Sequence, residues 1–296
     1  MVYIKTVTFI LVGWLTYCVV SLSYDQAFRV KCRSKGDFGV MVSQTVGRSR
    51  VALDICVESA VGAAAAIAGG CDRIELCSAL VLGGLTPSAG LVAEVLALAV
   101  PAGVPVRAMV RPRSGGFDYG AEDMALALAE ARALVAAGVQ GLVFGATAGA
   151  KLAEQAMRAW IAGLGEDCPP LTLHRAIDVV ADPVAAVDVA VALGFDHVLT
   201  SGGARTAMEG AATIAAMVAR AAGRCTIMAG AGVAADTAGE LLDATNAGAL
   251  HGSASDPAPT MEQDRFGFGP LPRQTNANRV SALRQVIDDK SNLRQL

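Results

Sequence analysis

Seven polar or charged residues stand at or next to the ends of short apolar segments, where a buried strand would finish. Buried parallel strands are ordinarily continuous runs of Val, Ile and Leu, so acids, arginines and histidines within them need a chemical reason. Carboxylates and imidazoles move protons, guanidinium groups hold anions, and hydroxyl groups donate and accept hydrogen bonds. The seven residues are Asp54, Glu75, Arg111, His174, Arg175, Ser201 and His251.

Eight short apolar segments from residue 51 onward are each followed by a segment with helical character. Strands are predicted at 51–56, 73–77, 105–111, 141–145, 171–175, 197–201, 226–230 and 249–253, and helices at 58–68, 87–100, 121–137, 149–161, 183–193, 208–222, 236–244 and 280–288. Regular alternation predicts parallel strands joined by helical crossovers. A doubly wound open sheet would have the same local units, but eight of them favour a closed TIM-type (β/α)8 barrel with its site at the C-terminal strand ends.

Composition is consistent with one such α/β domain and excludes other classes. The chain has 296 residues, of which 53% are hydrophobic, enough for a single barrel over residues 51–296. A net charge of −3 argues against a nucleic-acid partner. Seven cysteines without a CxxC pair indicate reduced thiols and a cytoplasmic setting. The Ala-rich helices also suit a homo-oligomer, without indicating which surface would form it.

Residues 1–50 differ in composition from the rest and are predicted to be an extension outside the barrel. Three of the four Tyr residues fall there, whereas Ala occurs there only at Ala27. The apolar segment 7–22 follows Lys5 and resembles a signal peptide or a membrane anchor, although it has no convincing cleavage site. The alternative is that translation begins at Met41 and that the upstream residues are extraneous.

Strand parity predicts which of these side chains share a wall of the barrel. Because successive strand side chains point to opposite faces, Asp54 and Cys56 should point the same way, as should Glu75 and Cys77. Two carboxylates and, one layer higher, two thiols would then line adjacent walls. The arginines at 111 and 175 are expected to pair with the carboxylates. The alternative is a salt-bridge network that merely plugs the end of the barrel.

Two of the three histidines fall at the same predicted mouth. His174 and His251 lie at strand ends and suit general acid–base or metal-binding roles, with a satisfied core histidine as the alternative. His197 begins its strand and is therefore predicted to be structural, at the opposite end.

Glycine-rich turns after the sixth and seventh strands could bind an anion. Gly202, Gly230 and Gly232 precede helices, and backbone N–H groups at such turns suit phosphate or carboxylate, although glycines there also serve tight packing. After the second strand, Thr86 and Pro87 are predicted to cap and begin a helix.

Together these residues form ordered strings that resemble the CutC family over about residues 51–255. The strings are LDIC (53–56), DRIELC (72–77), GGLTPS (83–88), RPR (111–113), HRAID (174–178), LTSG (199–202), MAGAGV (228–233) and LHGS (250–253). The chain departs from the family pattern at Asp54, where the family usually has Glu, and at Gly116, where it tends to have an acid before the Phe.

The resemblance implies a TIM barrel, a cytoplasmic setting and an association with copper homeostasis, but no established reaction. By that resemblance Cys56 and Cys77 are the candidates for a Cu(I) site, and Asp54, Glu75, Arg111, His174, Arg175 and Asp178 match the polar mouth. Cu(I) prefers thiolate and thioether ligands, so Met228 could add a third soft donor.

Two functions therefore stay open. The first is a copper homeostasis protein that binds Cu(I) through the two cysteines. The second is an enzyme that performs acid–base chemistry on a small phosphorylated or carboxylate metabolite. The residues assigned to proton transfer in that case are Glu75, His174 and Asp178. Those assigned to holding the anion are Asp54, Arg111, Arg113, Arg175, Ser201, Gly202, Gly230, Gly232 and His251.

Overall fold

The structure, a computed structural model, describes residues 50–257 and 273–293, together with four short strands upstream. The chain forms two compact units, Met1–Arg48 and Ser49–Leu296. In the first unit, Ile10–Leu11 pairs with Trp14–Leu15 and Cys18–Ser21 pairs with Arg29–Cys32, both antiparallel.

The predicted signal or anchor segment 7–22 lies partly outside the described residues, and Met41 lies wholly outside them. Where segment 7–22 is described, it contributes short strands. Among the helices that the structure describes, none has the length and apolar character needed to span a membrane.

The second unit alternates strands and helices along the chain. Its barrel strands are β1 Ala52–Val57, β2 Arg73–Leu76, β3 Val106–Met109, β4 Gly141–Phe144, β5 Leu171–Leu173, β6 His197–Thr200, β7 Thr226–Gly230 and β8 Ala249–Gly252. Its helices are α1 Ala60–Ala68, α2 Ala89–Ala99, α3 Ala121–Ala136, α4 Glu154–Leu164, α5 Pro183–Ala192, α6 Ala211–Ala221, α7 Ala235–Thr245 and α8 Ala277–Leu293.

The eight strands close into a barrel in sequence order, with every neighbouring pair parallel. Closure occurs between β8 and β1, where His251 lies opposite Asp54. The predicted TIM-type barrel is therefore confirmed and the open sheet is excluded. Short 3-10 turns follow β2 at Leu80–Leu82 and β5 at Arg175–Val179. A small antiparallel pair, Ser255–Pro257 with Arg273–Thr275, follows β8.

Side-chain caps fix the start of several helices. Ser59 accepts a hydrogen bond from Gly62 N at the start of α1, and Asp182 caps α5 ahead of its first-turn proline. The predicted cap at Thr86 is wrong, because α2 begins at Ala89 and Ser88 caps it. Thr86 Oγ1 instead accepts from Arg111 N and donates to Glu130.

Strand parity separates an apolar outer face from a polar barrel interior. On β1 the alternate residues Leu53, Ile55 and Val57 are buried in the main core between strands and helices. Asp54 and Cys56 occupy the opposite face, as the alternation predicted. Many TIM barrels fill this interior with branched apolar side chains. Here charged groups replace several of them and must be paired within the barrel.

The lower and middle parts of the interior contain a buried ion-pair network. Arg73 Nε lies 2.7 Å from Asp54 Oδ2, and both side chains are almost fully buried. Arg107 makes two hydrogen bonds to Asp196 and a third, of 2.6 Å, to Thr172 Oγ1. His197 Nδ1 lies 3.1 Å from Asp196 Oδ2, which supports its predicted structural role. A plugging network therefore exists, but it lies below the C-terminal mouth.

The Asp54–Arg73 pair gives a test of this interior. Burial would raise the pKa of Asp54, but Arg73 and His251 outweigh it and the pKa is lowered. We expect Arg73→Met to leave a buried carboxylate without its cation and to lower the free energy of unfolding by about 3–5 kcal/mol. Urea unfolding at pH 7 measures this.

The matched control is Arg158→Met, which breaks the exposed Arg158–Glu154 pair of α4. Its effect should not exceed about 0.5 kcal/mol. If Arg73→Met lowered the free energy of unfolding by less than about 1 kcal/mol, the buried pair would not be needed to stabilise the barrel interior.

Candidate functional site

A cavity of about 510 Å³ opens at the C-terminal ends of the strands and is called the mouth cavity here. Its volume is typical of a small-molecule site. The strand ends contribute acidic, basic, aromatic and sulfur side chains to its wall: Cys56, Glu75, Met109, Arg111, Phe117, His174, Arg175, Leu199 and His251. The loops after β7 and β8 and the start of α8 complete it, through residues 231–235 and 252–255 and Arg273, Arg279, Ala282 and Leu283.

Glu75 and His251 form a buried acid–base pair in this wall. Glu75 Oε1 lies 3.2 Å from His251 Nε2 and 3.7 Å from Cys77 Sγ. Burial lowers the pKa of His251, but Glu75 and Asp54 outweigh burial, so that this pKa is raised. The second carboxylate oxygen, Glu75 Oε2, is buried and has no hydrogen-bond partner among the described residues.

His174 is held as a neutral hydrogen-bond donor. Its Nδ1 accepts a hydrogen bond from Ala176 N at 3.1 Å, so the ring proton is placed on Nε2. Burial and the nearby Arg111 cation lower the pKa of His174 to about 3. Its Nε2 is buried with no partner in the described part of the chain. Near neutral pH the imidazole therefore keeps one N–H donor, at Nε2.

Arg111 builds the rim of the cavity through hydrogen bonds to neighbouring loops. Its two terminal nitrogens donate to the carbonyl oxygens of Leu82, Gly84 and Gly115. The guanidinium also lies 5.2 Å from the ring centroid of Phe117, which lies 4.8 Å from the His174 ring. Arg111 Nε is buried and lacks a partner among the described residues.

The expected pairing of carboxylates with Arg111 and Arg175 is wrong. The structure pairs Asp54 with Arg73 and Glu75 with His251. Two different arginines, Arg73 and Arg107, neutralise the interior because they lie lower on their strands, and sequence reasoning did not single them out. Asp54 itself lies below the cavity wall.

Asp178 is a structural hub rather than a group free for proton transfer. It accepts hydrogen bonds from Arg175 Nε, from the Thr200 and Ser201 hydroxyls and from backbone N–H groups of Ser201 and Gly203. These bonds occupy both carboxylate oxygens. Its predicted catalytic role is therefore not supported, whereas its position in the 3-10 turn after β5, bonded to the loop after β6, explains the HRAID string.

Several residues predicted to bind the anion do not reach the cavity wall. Ser201 donates to Asp178 and Ala204, and Gly202 packs so closely on Gly210 that a Cβ would lie 2.4 Å from the Gly210 oxygen. Arg113 donates hydrogen bonds to the Asp123 carboxylate and to nearby backbone carbonyl oxygens. Among the predicted glycines, Gly232 lines the cavity, whereas Gly202 and Gly230 do not.

The two candidate copper ligands have different positions. Cys56 lines the cavity, whereas Cys77 is fully buried against Met109 and Val143. Burial and the Glu75 carboxylate raise the pKa of both thiols well above the usual value, which favours their protonated forms. Met228 packs with Leu199 and Ala249 and does not line the cavity. Over the described residues no group of three or more His, Cys, Asp or Glu side chains is arranged to hold a metal ion.

Sequence reasoning missed several contributors to the wall. Among them, Met109 and Phe117 are apolar and resemble core residues in the sequence. Arg273 and Arg279 lie between the eighth predicted strand and the predicted helix 280–288, in a segment to which no role was assigned. Only the path of the chain after β8 brings these two arginines to the cavity, so no local pattern could have identified them.

The closed barrel, with its polar groups and a cavity at the C-terminal mouth, defines a TIM-barrel protein. The CutC family model matches residues 51–256. A CutC family protein from Sinorhizobium medicae is 43% identical over 243 residues, covering 81% of this chain and 97% of the relative. One from Caulobacter vibrioides is 46% identical over 219 residues, covering 71% of this chain and 84% of the relative. This chain belongs to the CutC family, as the resemblance indicated.

A solved structure gives the same result for the fold. The crystal structure of CutC from Streptococcus agalactiae, described provisionally as a copper homeostasis protein, has 28% sequence identity and a TM-score of 0.65. The similarity covers 69% of this chain and 98% of that one.

The neutral state of His174 predicts a pH dependence. The pKa of His174 is lowered to about 3 in the folded state, so between about pH 6.5 and pH 3 the unfolded state binds more protons at this residue. The free energy of unfolding should therefore fall as the pH falls through this range. This one group should contribute a slope of up to about 1.4 kcal/mol per pH unit. Urea unfolding at pH 6.5, 5.5 and 4.5 measures it.

In the comparison variant His174→Asn, the side-chain oxygen can still accept from Ala176 N but does not titrate. The free energy of unfolding of this variant should change less steeply with pH than that of the wild type over the same range. Asp54 and Asp196 contribute equally to both proteins. Equal slopes would show that His174 is not held neutral.

Proposed function

We propose that the mouth cavity binds a small anionic carbonyl compound and transfers a proton on it. The observation that supports this proposal is that three side chains of the cavity wall, those of Glu75, His174 and Arg111, each hold a buried polar atom without a hydrogen-bond partner in the described residues. Buried polar atoms are ordinarily satisfied, because an unsatisfied one costs about 1–3 kcal/mol. A ligand with one proton to exchange and one oxygen to be held would satisfy all three.

Glu75 is the group proposed to move the proton. Its Oε1 is held by His251, so Oε2, which has no partner in the described residues, is the oxygen proposed to take the proton. Removal of a proton next to a carbonyl creates negative charge on the carbonyl oxygen. Glu75 could return the proton to the same carbon or to a neighbouring atom.

His174 and Arg111 are proposed to stabilise that oxygen. Both present an N–H donor from a fixed position, since His174 is held by Ala176 and Arg111 by three carbonyl groups. Donors fixed in advance stabilise a developing oxyanion because they need no reorganisation during the reaction. A neutral imidazole can fill this role because it keeps its Nε2 proton.

Proton exchange with solvent tests this function. In deuterated water, NMR should show loss of an α-proton signal from at least one member of a panel of carbonyl metabolites, with and without phosphate or carboxylate groups. We expect Glu75→Gln to lower the exchange rate by about 10²–10⁴-fold, since it removes the base, while binding is kept. Asp178→Asn is not a suitable control because it alters the loop after β6.

A better control is Glu130→Gln. Glu130 accepts from Thr86 outside the cavity wall, so its variant should exchange at the wild-type rate. Absence of exchange and of any thermal shift across the whole panel would contradict the proposed function.

Copper binding is the second candidate, and the grouping of sulfur atoms favours it. A Cβ on Gly84 would lie 3.0 Å from Cys77 Sγ and 3.5 Å from Met109 Cε, so both sulfur-bearing side chains meet beneath this glycine. With Cys56 in the same wall, two thiols and a thioether are available for Cu(I). Against this, the thiols must first lose protons, and the arginines of the wall repel a cation.

Metal analysis after anaerobic Cu(I) loading tests this candidate. If the thiols bind copper, the wild type should retain about one Cu(I) per chain on gel filtration. The double variant Cys56→Ser, Cys77→Ser should retain none. The control is Cys168→Ser, since Cys168 is a free thiol outside the cavity wall. Full copper retention by the double variant would exclude the thiol site.

We also propose a cytoplasmic location, an N-terminal extension outside the barrel and assembly into a homo-oligomer. The five cysteines from Cys56 to Cys225 are free thiols, which supports a reducing, cytoplasmic compartment. The family match begins at residue 51, which supports treating residues 1–50 as an extension. Assembly into a homo-oligomer also remains a proposal.

A further inference from the structure

We infer that Phe117 is a positioning residue for His174, because its ring packs against the imidazole and holds it in one orientation in the wall of the mouth cavity. As a contribution to catalysis, this role rests on the proposed function, in which His174 donates to the carbonyl oxygen. As a contribution to the structure of the site, it can be tested on the protein without a ligand. Phe117 has no charge and no proton to transfer, so it acts only through its neighbours.

The loop after β3 holds Phe117 in place through bonds on both sides of this residue. Arg111 donates from a terminal nitrogen to Gly115 O at 2.7 Å, and its guanidinium lies 5.2 Å from the Phe117 ring centroid. Thr147 N, in the loop after β4, donates to Phe117 O at 2.8 Å. Asp118 also pairs with Thr147 in an isolated parallel bridge. The backbone that carries the Phe117 ring is therefore fixed to the segments that follow two neighbouring barrel strands.

The His174 ring is fixed by three contacts. The ring centroids of Phe117 and His174 lie 4.8 Å apart with an interplanar angle of 43°, which is direct aromatic packing. A Cβ added to Gly145 would lie 2.8 Å from His174 Nδ1 and 2.9 Å from Cε1, so the glycine backbone lies against this edge of the ring. Ala176 N donates to the same Nδ1 at 3.1 Å. Of these three contacts, only the one with Phe117 is made by a side chain, so it can be removed by substitution.

The neutral state of His174 depends on this enclosure. Burial is the largest cause that lowers its pKa to about 3, and the Arg111 cation is the second. Asp178, the nearby acid that raises this pKa, is itself paired with Arg175. A protonated imidazole carries hydrogen on Nδ1 and cannot accept from Ala176 N. Water admitted by loss of the aromatic ring should therefore raise the pKa and free the imidazole to turn.

Nitrogen-15 NMR of the histidine rings tests this role without a ligand. The chain has three histidines, and His174→Asn identifies the signals of His174 by their loss. In the wild type these signals should remain those of one neutral tautomer, protonated on Nε2, from pH 8 to pH 5. In Phe117→Ala the pKa of His174 should rise, so that at least about a fifth of the imidazoles are cationic at pH 5.

Phe117→Leu is a milder substitution that keeps apolar atoms in the loop after β3. Its cationic fraction of His174 at pH 5 should lie between those of the wild type and Phe117→Ala, because the imidazole is only partly uncovered. This variant decides the question if Phe117→Ala does not fold. Wild-type signals of His174 in the folded Phe117 variants would overturn the positioning role.

The matched control is Leu80→Ala, which removes apolar atoms from another part of the cavity wall. Leu80 packs with Cys77 and Met109, in the loop after β2. The His174 signals of this control should match those of the wild type from pH 8 to pH 5. If the control shows the same cationic fraction as Phe117→Ala, the effect is not specific to the aromatic contact and the positioning role is overturned.

Solvent exchange gives the catalytic part of the test. Phe117→Ala should lower kcat for exchange of a carbonyl compound by about 10–100-fold, because the donor to the oxyanion is misplaced. KM should change by less than about threefold, since the ligand still binds.

The two proposals can fail separately. Phe117 variants that alter the His174 signals as expected, in a protein that exchanges no carbonyl compound, would support the positioning of His174 and contradict the proton transfer. Exchange at the wild-type kcat by Phe117→Ala would support the proton transfer and overturn the part of Phe117 in it.

Discussion

Charge inside a closed parallel barrel has to be neutralised within that barrel, and this constraint divides the interior into two zones. In the lower zone the charges are paired, as in Asp54 with Arg73 and Arg107 with Asp196. One carboxylate oxygen lacks a hydrogen-bond partner in the described residues in each zone, at Asp54 in the lower zone and at Glu75 at the mouth. Loss of hydration makes both zones costly unless contacts compensate for it. The lower zone forms the floor, and the mouth, whose side chains line the cavity, is where a ligand would add contacts.

The two histidines at the mouth show how position decides chemistry. Both are buried, and burial lowers the pKa of each. His251 faces Glu75 and Asp54, whose negative charge reverses the effect, whereas His174 has Arg111 nearby and remains neutral. One imidazole therefore favours the cation and the other keeps a single donor proton. Groups of the same type with opposite tendencies in one cavity are typical of acid–base sites.

Much of the polar composition of the mouth builds the loops rather than the ligand site. Arg111 gathers carbonyl oxygens from the loops after β2 and β3, and Asp178 fixes the loop after β6. Some of the charged residues in the family strings therefore serve to hold loops in place through hydrogen bonds. It also bears on copper, because Cys56 shares the cavity wall with arginines that hold the loops in place. A soft cation there would have to overcome both the positive charges and the raised thiol pKa values.

The sequence by itself determined the number and order of the strands, the closed barrel, the family and the end of the barrel at which the polar side chains gather. These follow from local periodicity and from short strings, which need no knowledge of distant neighbours. It also gave the parity that places Asp54 with Cys56. It did not give the partners of the carboxylates, the structural use of Asp178 or the arrival of Arg273 at the mouth. Those depend on the stagger of neighbouring strands and on the return of the chain after β8, and only the tertiary structure decides them, because ion pairs and hydrogen bonds form over distances of about 3 Å between residues far apart in sequence.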